Sequence, residues 1–219
     1  MSTSEPLILA FDTSAAHCAA ALLSGDRVLA RAEEAMAKGQ AERLMPLVAE
    51  VMAAAGKALS DLDAIGVGTG PGNFTGIRIS VAAARGLALA LGVPAVGVTR
   101  LEAMALDQPR PLLACVAAPR DQLYLQRFGA GVARGPEMAA LDRLDGWALT
   151  GLTVTGDRAD EVAARLGAAV TEEAPRAVAI ARHAATRWRD PALPRPAPLY
   201  LRPADAAPSS AVPPAILPA

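Results

Sequence analysis

Aromatic side chains are scarce in this 219-residue sequence, which contains two Trp, two Tyr and three Phe. The charges are nearly balanced, since the sequence has 21 Lys and Arg and 22 Asp and Glu, which gives a formal net charge of −1. Nucleic-acid binding needs a basic surface, and recognition of single strands needs aromatic rings on which bases stack. The sequence therefore predicts no direct binding of nucleic acid by this chain.

Cysteine is equally scarce, because Cys18 and Cys115 are the only two. Two distant thiols make neither a disulfide framework nor the spacing of a zinc site, and they fit a reducing compartment. Residues 1–6 lack the basic start of a signal peptide, and no continuous apolar run reaches about 18 residues. We therefore expect a cytoplasmic protein with no membrane segment.

Hydrophobic residues make up 53% of the sequence, and in the first half their pattern alternates between strand and helix. The continuous apolar run at 7–11 indicates a buried strand. The predicted strands of this half are 7–11, 18–23, 27–33, 63–69 and 95–98, and the predicted helices are 41–55 and 76–91. The resulting order, β-β-β-α-β-α-β, is typical of an α/β layer architecture.

The second half begins in the same way and then becomes shorter. Its predicted strands are 112–117, 122–128 and 152–155, its predicted helices are 157–166 and 176–189, and 129–146 is predicted to be loop or short helix. We interpret the chain as two related α/β units, at 1–105 and 106–205, of which the second is reduced. The proline-rich tail at 206–219 is expected to be disordered.

The glycine-rich stretch GTGPGNFTGIR at 68–78 raises the question of a phosphate-binding loop. It lacks the lysine of a Walker loop and the glycine spacing of a dinucleotide fingerprint. Gly70 and Gly72 permit tight turns, Thr75 stands where a helix N-cap is expected, and a helix start can attract an anion. A strand-to-helix turn with a packing role is favoured, and an anion site stays open.

Three polar residues, Asp12, Thr13 and Ser14, follow the first predicted strand. A carboxylate and two hydroxyls at a strand end could face a nucleotide phosphate through a metal ion. They could equally close a local turn through side-chain hydrogen bonds to the backbone. Asp12 and Thr13, with Gly70, Gly72 and Thr75, are the candidate nucleotide-facing residues.

Three motifs together resemble those of the bacterial TsaB family: ILAFDTS at 8–14, GTGPGNFTGIR at 68–78 and PLYLRP at 198–203. The resemblance is strong over 7–105 and looser beyond. It implies the fold shared by actin, sugar kinases and Hsp70 (the ASKHA fold), with two RNase H-like units. It also implies a non-catalytic paralogue of TsaD, the subunit that transfers threonylcarbamoyl to the adenosine beside the anticodon in tRNA.

The resemblance further implies protein partners and the lack of a catalytic activity of the chain's own. TsaD holds a metal with a His-x-x-x-His pair, whereas the matching stretch here, AKGQAERLMPLV, has no histidine. His17 and His183, the only histidines, are expected to be surface or lightly packed residues, so neither a catalytic nor a metal site is predicted. The expected partners are TsaD, a TsaE-type ATPase and, in their absence, a second copy of the chain. The chain should need no cofactor of its own, and a nucleotide at the TsaD interface is left open.

The helix predicted at 41–55 has apolar residues around most of its circumference, whereas a helix packed on a sheet needs an apolar arc of only about 100°. The pattern fits deep burial and a partner surface equally well, and the TsaB resemblance favours the partner. The predicted interface residues are Leu44, Met45, Val48, Met52, Arg78 and Arg85.

Three rival functions stay open at this point. A small-molecule kinase of the actin-like superfamily would place Asp12 near the phosphates, and a metallopeptidase-like relative would need the missing histidine pair. Direct tRNA binding could use the arginine-rich C-terminal segment, although a solvated helix face explains that segment more simply. The basic residues of the segment are Arg182, Arg187, Arg189, Arg195 and Arg202.

Overall fold

The computed structural model describes residues 5–201. Its strands are β1 Leu7–Asp12, β2 His17–Ser24, β3 Arg27–Ala35, β4 Ala64–Gly68, β5 Ala95–Val98, β6 Leu112–Ala118, β7 Gln122–Phe128, β8 Arg134–Ala140, β9 Thr153–Gly156 and β10 Ala169–Val170. Its α-helices are α1 Gln40–Ala54, α2 Phe74–Leu91, α3 Arg100–Met104, α4 Ala159–Leu166 and α5 Arg176–Arg187. Short 3₁₀ turns lie at Leu59–Asp61, Leu141–Arg143 and Asp145–Trp147.

The first five strands form one sheet in the order β3-β2-β1-β4-β5. β1, β2 and β3 are antiparallel, and β4 and β5 run parallel to β1. Every residue of β1 is buried, as expected for a central strand that is covered on both faces. The predicted order β-β-β-α-β-α-β is confirmed, with the helices beginning within two residues of the predicted positions.

Helices cover both faces of the first sheet. Leu9 and Phe11 point to one face, where they join the buried side of α1 and α2 in a single cluster. Ala10 points to the opposite face and meets Ile180 of α5, because side chains alternate along a strand. α5 comes from the second half of the chain but completes the core of the first sheet. The division at 105 stays a prediction.

The second sheet has the order β10-β9-β6-β7-β8. One face packs against α4 and buries Trp147, while the other packs against α3 through Leu101 and Met104. Its two edge strands differ, since β10 has only two residues whereas β8 pairs with β7 along most of its length. Two five-stranded α/β units of unequal size result, as the fold class predicted.

Three local predictions were wrong. Part of the 129–146 stretch, predicted to be loop or short helix, is the strand β8, whose sequence RGPEMAA has a proline that only an edge strand tolerates. α2 begins at Phe74, and its N-cap is Asn73, whose side chain accepts a hydrogen bond from the Gly76 N–H at 2.8 Å, so Thr75 is not the cap. The elements α3 and β10 were not predicted, because they are too short to show a repeating hydrophobic pattern. The tail predicted at 206–219, Arg202 and the end of the PLYLRP motif lie outside the described residues.

We predict that Gly76→Ala lowers the free energy of unfolding by about 2 kcal/mol or more. A Cβ at Gly76 would overlap the backbone carbonyl of Thr13, which cannot turn aside as a side chain could. Gly86, in the same helix, has open space around its Cβ position, so Gly86→Ala should raise stability by roughly 0.5–1 kcal/mol. Urea unfolding at one fixed protein concentration measures both. Equal effects of the two substitutions would contradict the packing role of Gly76.

Candidate functional site

The loop after β1 and the start of α2 are in direct contact. The Thr13 hydroxyl donates to the Gly76 carbonyl at 2.7 Å, and the Asn73 N–H donates to the Ser14 carbonyl at 2.6 Å. A Cβ at Gly72 would overlap that same Ser14 carbonyl. The glycines of the 68–76 loop therefore let two backbone segments touch, which is the packing role favoured by the sequence.

Asp12 is buried, with 1% of its surface exposed, and is surrounded by internal partners. Its carboxylate accepts hydrogen bonds from the Ser14 N–H at 3.1 Å and the Ser14 hydroxyl at 2.9 Å, and it lies 2.9 Å from His17 Nε2. Arg176 Nη1 of α5 lies 3.7 Å away. Burial alone would raise the pKa of Asp12, but the hydrogen bond with His17 and the charge of Arg176 hold it below its usual value.

This cluster changes the interpretation of several predicted residues. His17 is buried beside Asp12 rather than at the surface, because the carboxylate supplies it with a polar partner. Thr13 is fully buried against α2, and Thr75 is exposed in the first turn. Gly70 has a φ of +88°, in the region that glycine tolerates. Asp12 and Thr13 thus have structural partners, and their role toward a nucleotide stays a prediction.

A cleft of about 1280 Å³ opens between the two sheets. One wall is the start of α2 with its preceding loop, and the other wall is the turn after β6 together with Tyr124 of β7. The extended segment 199–201 closes one side, held by the Leu199 N–H, which donates to the Thr69 carbonyl at 2.8 Å. We call this space the cleft.

A salt bridge ties the two sheets together beside the cleft. Arg100 donates two hydrogen bonds to Asp157, at 2.6 and 2.9 Å, and Asp157 also accepts from the Ala117 N–H at 2.9 Å. Burial would raise the pKa of Asp157, but its hydrogen bonds with Arg100 and the Arg100 charge lower it. Among residues 5–201, no group of three or more His, Cys, Asp or Glu side chains is placed to hold a metal ion.

A second surface lies on the sides of α1 and α2 that face away from the first sheet. We call it the outer helical face, and its exposed residues are Glu42, Met45, Pro46, Ala49, Glu50 and Ala53 of α1 and Ala82, Arg85, Gly86, Leu89 and Ala90 of α2. Met45 is 40% exposed and Leu89 is 86% exposed. The helix α2 has a mean hydropathy of 1.4. By length and composition alone it is long and apolar enough to cross a membrane, and 28% of its residues are buried.

The predicted interface residues do not all belong to this surface. Leu44, Val48 and Met52 are buried in the core against the first sheet, which accounts for their apolar character without a partner. They are corrected from interface to core, because a helical pattern does not tell which apolar side faces the sheet. Met45 and Arg85 lie on the outer helical face, and Arg78 is exposed at the cleft.

Two sheets of this topology, with helices packed on both sides and a cleft between them, define a protein of the actin, sugar-kinase and Hsp70 fold class. Component A of (R)-2-hydroxyglutaryl-CoA dehydratase from Acidaminococcus fermentans shares the fold, with a TM-score of 0.54 at 10% identity over 83% of this chain and 98% of that one. A family model described as "TsaD: tRNA N6-adenosine threonylcarbamoyltransferase" matches residues 33–196.

Two further similarities support the family. The chain is 34% identical over 142 residues to the tRNA threonylcarbamoyladenosine biosynthesis protein TsaB of Escherichia coli, and this match covers 61% of each chain. A Pseudomonas aeruginosa crystal structure, of an uncharacterized protein with similarity to peptidase YeaZ, has a TM-score of 0.74 at 30% identity. That match covers 90% of this chain and 100% of the other. The chain spans 57% of the length of an uncharacterized Mycobacterium leprae relative and 61% of the length of the Escherichia coli TsaB. With the family model, these matches show that the chain belongs to the TsaB family.

We predict that Asp12→Asn lowers the free energy of unfolding at pH 7 by about 3 kcal/mol, because it removes the charge that pairs with His17 and Arg176 and leaves Glu173 as the remaining carboxylate beside Arg176. The pKa of Asp12 is lowered on folding, so its contribution is present above the unfolded pKa of about 4 and is lost as the pH falls through the folded value. The loss of stability in acid should therefore be smaller in the variant.

Denaturant unfolding between pH 7 and pH 3 provides the measurement. Asp145→Asn is the control, because Asp145 pairs with Arg165 on an exposed surface and should change stability by no more than about 1 kcal/mol. Parallel pH profiles for the wild-type chain and Asp12→Asn would contradict the assigned role of Asp12.

Proposed function

We propose that this chain is a non-catalytic subunit of the complex that forms N6-threonylcarbamoyladenosine next to the anticodon in tRNAs. It binds the catalytic subunit TsaD through the outer helical face and stabilises its active form. The observation that carries the proposal is a row of apolar and small residues, from Met45 and Ala49 of α1 to Ala82, Gly86 and Leu89 of α2, that remains exposed after the other side of both helices has packed on the first sheet. The name of the Escherichia coli relative supplies the pathway.

The composition of the outer helical face suits a helical partner. Leu89 and Met45 supply large apolar contacts at its two ends, and methionine adapts readily to a partner surface. Ala49, Ala82 and Gly86 leave shallow grooves into which the ridges of a facing helix can pack. A stable complex of this kind would bury about 1,200–2,000 Å² in total.

The environment of Asp12 supports a non-catalytic role. The carboxylate that a kinase of this fold would direct at a phosphate is here engaged by Ser14, His17 and Arg176. A buried carboxylate that is fully paired serves stability rather than metal coordination. This arrangement disfavours the small-molecule kinase as the alternative function, and within residues 5–201 no geometry favours the metallopeptidase.

The further partners are part of the same proposal. A TsaE-type ATPase joins the complex in the cytoplasm, a second copy of the chain occupies the outer helical face when TsaD is absent, and a nucleotide at the TsaD interface is compatible with this arrangement. Direct tRNA binding is not expected from α5, because Arg182 pairs with Asp107 at 3.3 Å and Arg187 pairs with Glu102 at 3.0 Å. These two ion pairs offset the charge of the α5 arginines among the basic residues of the segment.

We predict that Leu89→Asp reduces the amount of TsaD recovered with the chain by at least tenfold, because docking would bury the new carboxylate without a partner. Met45→Asp should act in the same direction. The measurement is co-purification of the tagged full chain with TsaD of the same organism. The fold of each variant is checked by circular dichroism.

The control is Val170→Asp, a change at another exposed apolar residue, on β10 of the second sheet, which should leave TsaD binding unchanged. Val48→Asp does not test docking, because Val48 lies in the core and the charge would unfold the chain. Undiminished co-purification of a folded chain carrying both Leu89→Asp and Met45→Asp would show that TsaD binds elsewhere.

A further inference from the structure

The cleft has an uneven charge. Among the described residues that line it there are two arginines, Arg78 and Arg100, and neither Asp nor Glu. The charge of Arg100 is offset by Asp157 through their bidentate salt bridge. No ion pair with Arg78 occurs in the part of the chain that the structure describes, so the cleft carries about one uncompensated positive charge.

Arg78 is held in a fixed position at the cleft. Its guanidinium carbon lies 3.8 Å from the ring centre of Phe74 and 5.8 Å from that of Tyr200. Its Nε donates to the Tyr200 hydroxyl at 2.8 Å. Within residues 5–201 its two terminal nitrogens make no hydrogen bond, and they form the planar fork that suits a carboxylate or phosphate. A cation that is already ordered loses little entropy when it binds an anion.

The remaining lining is apolar and flat. The rings of Phe74 and Tyr200 lie 5.1 Å apart between centres and are each about half exposed. Tyr124 is largely buried, and the part of it that is accessible lines the cleft. Pro71 and Pro119 add rigid apolar surface. Exposed aromatic faces gain most from a planar group laid against them.

Arg100 also lines the cleft and has an unpaired donor. It is only 7% exposed, and its Nε has no hydrogen-bond acceptor within the described residues, a property shared by the Nε atoms of Arg176, Arg182 and Arg187, which lie outside the cleft lining. A buried donor of this kind costs free energy unless something accepts its hydrogen bond. The volume of about 1280 Å³ leaves room for a small molecule, whose sites usually measure about 300–1,000 Å³.

We propose that the cleft binds a small molecule that carries a carboxylate or phosphate next to a planar aromatic group. The anion binds the free fork of Arg78, and the planar group lies against Phe74 and Tyr200. Asp12 and Thr13 do not line the cleft and take no direct part, while the glycine loop contributes only its surface at Pro71 and Gly72. Nucleoside monophosphates and aromatic carboxylates share this chemistry.

The test is isothermal titration calorimetry on the full chain with four probes: adenosine monophosphate, 1-naphthoate and their uncharged counterparts adenosine and 1-naphthamide. We expect at least one of the two anions to bind with a Kd below about 1 mM. Its uncharged counterpart should bind about tenfold more weakly, because it lacks the charge-assisted hydrogen bonds. Binding of only one anion identifies whether the ligand is a nucleotide or a carboxylate.

Two variants locate the site. Arg78→Leu should weaken binding of the anion about tenfold, while Arg27→Leu, at an exposed arginine of β3, is the matched control. Ala117→Trp, which fills the cleft without altering its charge, should abolish binding of either anion. The proposal is overturned if neither anion binds, if charged and uncharged probes bind equally, or if binding survives in folded Arg78→Leu and Ala117→Trp chains.

Discussion

The close contact between the end of β1 and the first turn of α2 is the constraint on which the rest of the structure depends. Thr13 reaches the Gly76 carbonyl, and the Asn73 N–H reaches the Ser14 carbonyl, so the two backbones touch without intervening side chains. This contact fixes the direction of α2 across the first sheet. It thereby places one end of α2 at the cleft and leaves its length exposed along the outer helical face.

Two partly buried ion pairs complete the positioning. Asp12 and Arg176 join the end of β1 to α5, so that a helix from the end of the chain is locked onto the first sheet. Arg100 and Asp157 join α3 to the turn that precedes α4 and so connect the two sheets. Buried pairs contribute little net stability against apolar replacements, but they tolerate only one geometry. Their effect here is to set how the two sheets are placed on either side of the cleft.

Much of the fold is predictable from the sequence because its strands and helices have clear periods. The apolar run of β1 and the amphipathic α4 are examples in which local pattern and final packing agree. The strand β8 was missed because its Gly-Pro pair resembles a turn, and only pairing with β7 makes it a strand. The site was less predictable, since partnerships such as Arg78 with Tyr200 join residues far apart in sequence.

The sequence also leaves the orientation of α1 and α2 open. It indicates more apolar surface than packing on one sheet requires, but not which side of each helix faces the sheet. The structure resolves this, because Val48 faces the sheet and Leu89 faces outward. An exposed leucine gains about 1.5–3 kcal/mol when it becomes fully buried, and single exposed apolar residues are common. What argues for a partner is that Leu89 lies in line with Gly86, Ala82 and other small residues on one helix side. Within the described chain no element covers that side, and the proposal that a second protein docks there rests on this exposure.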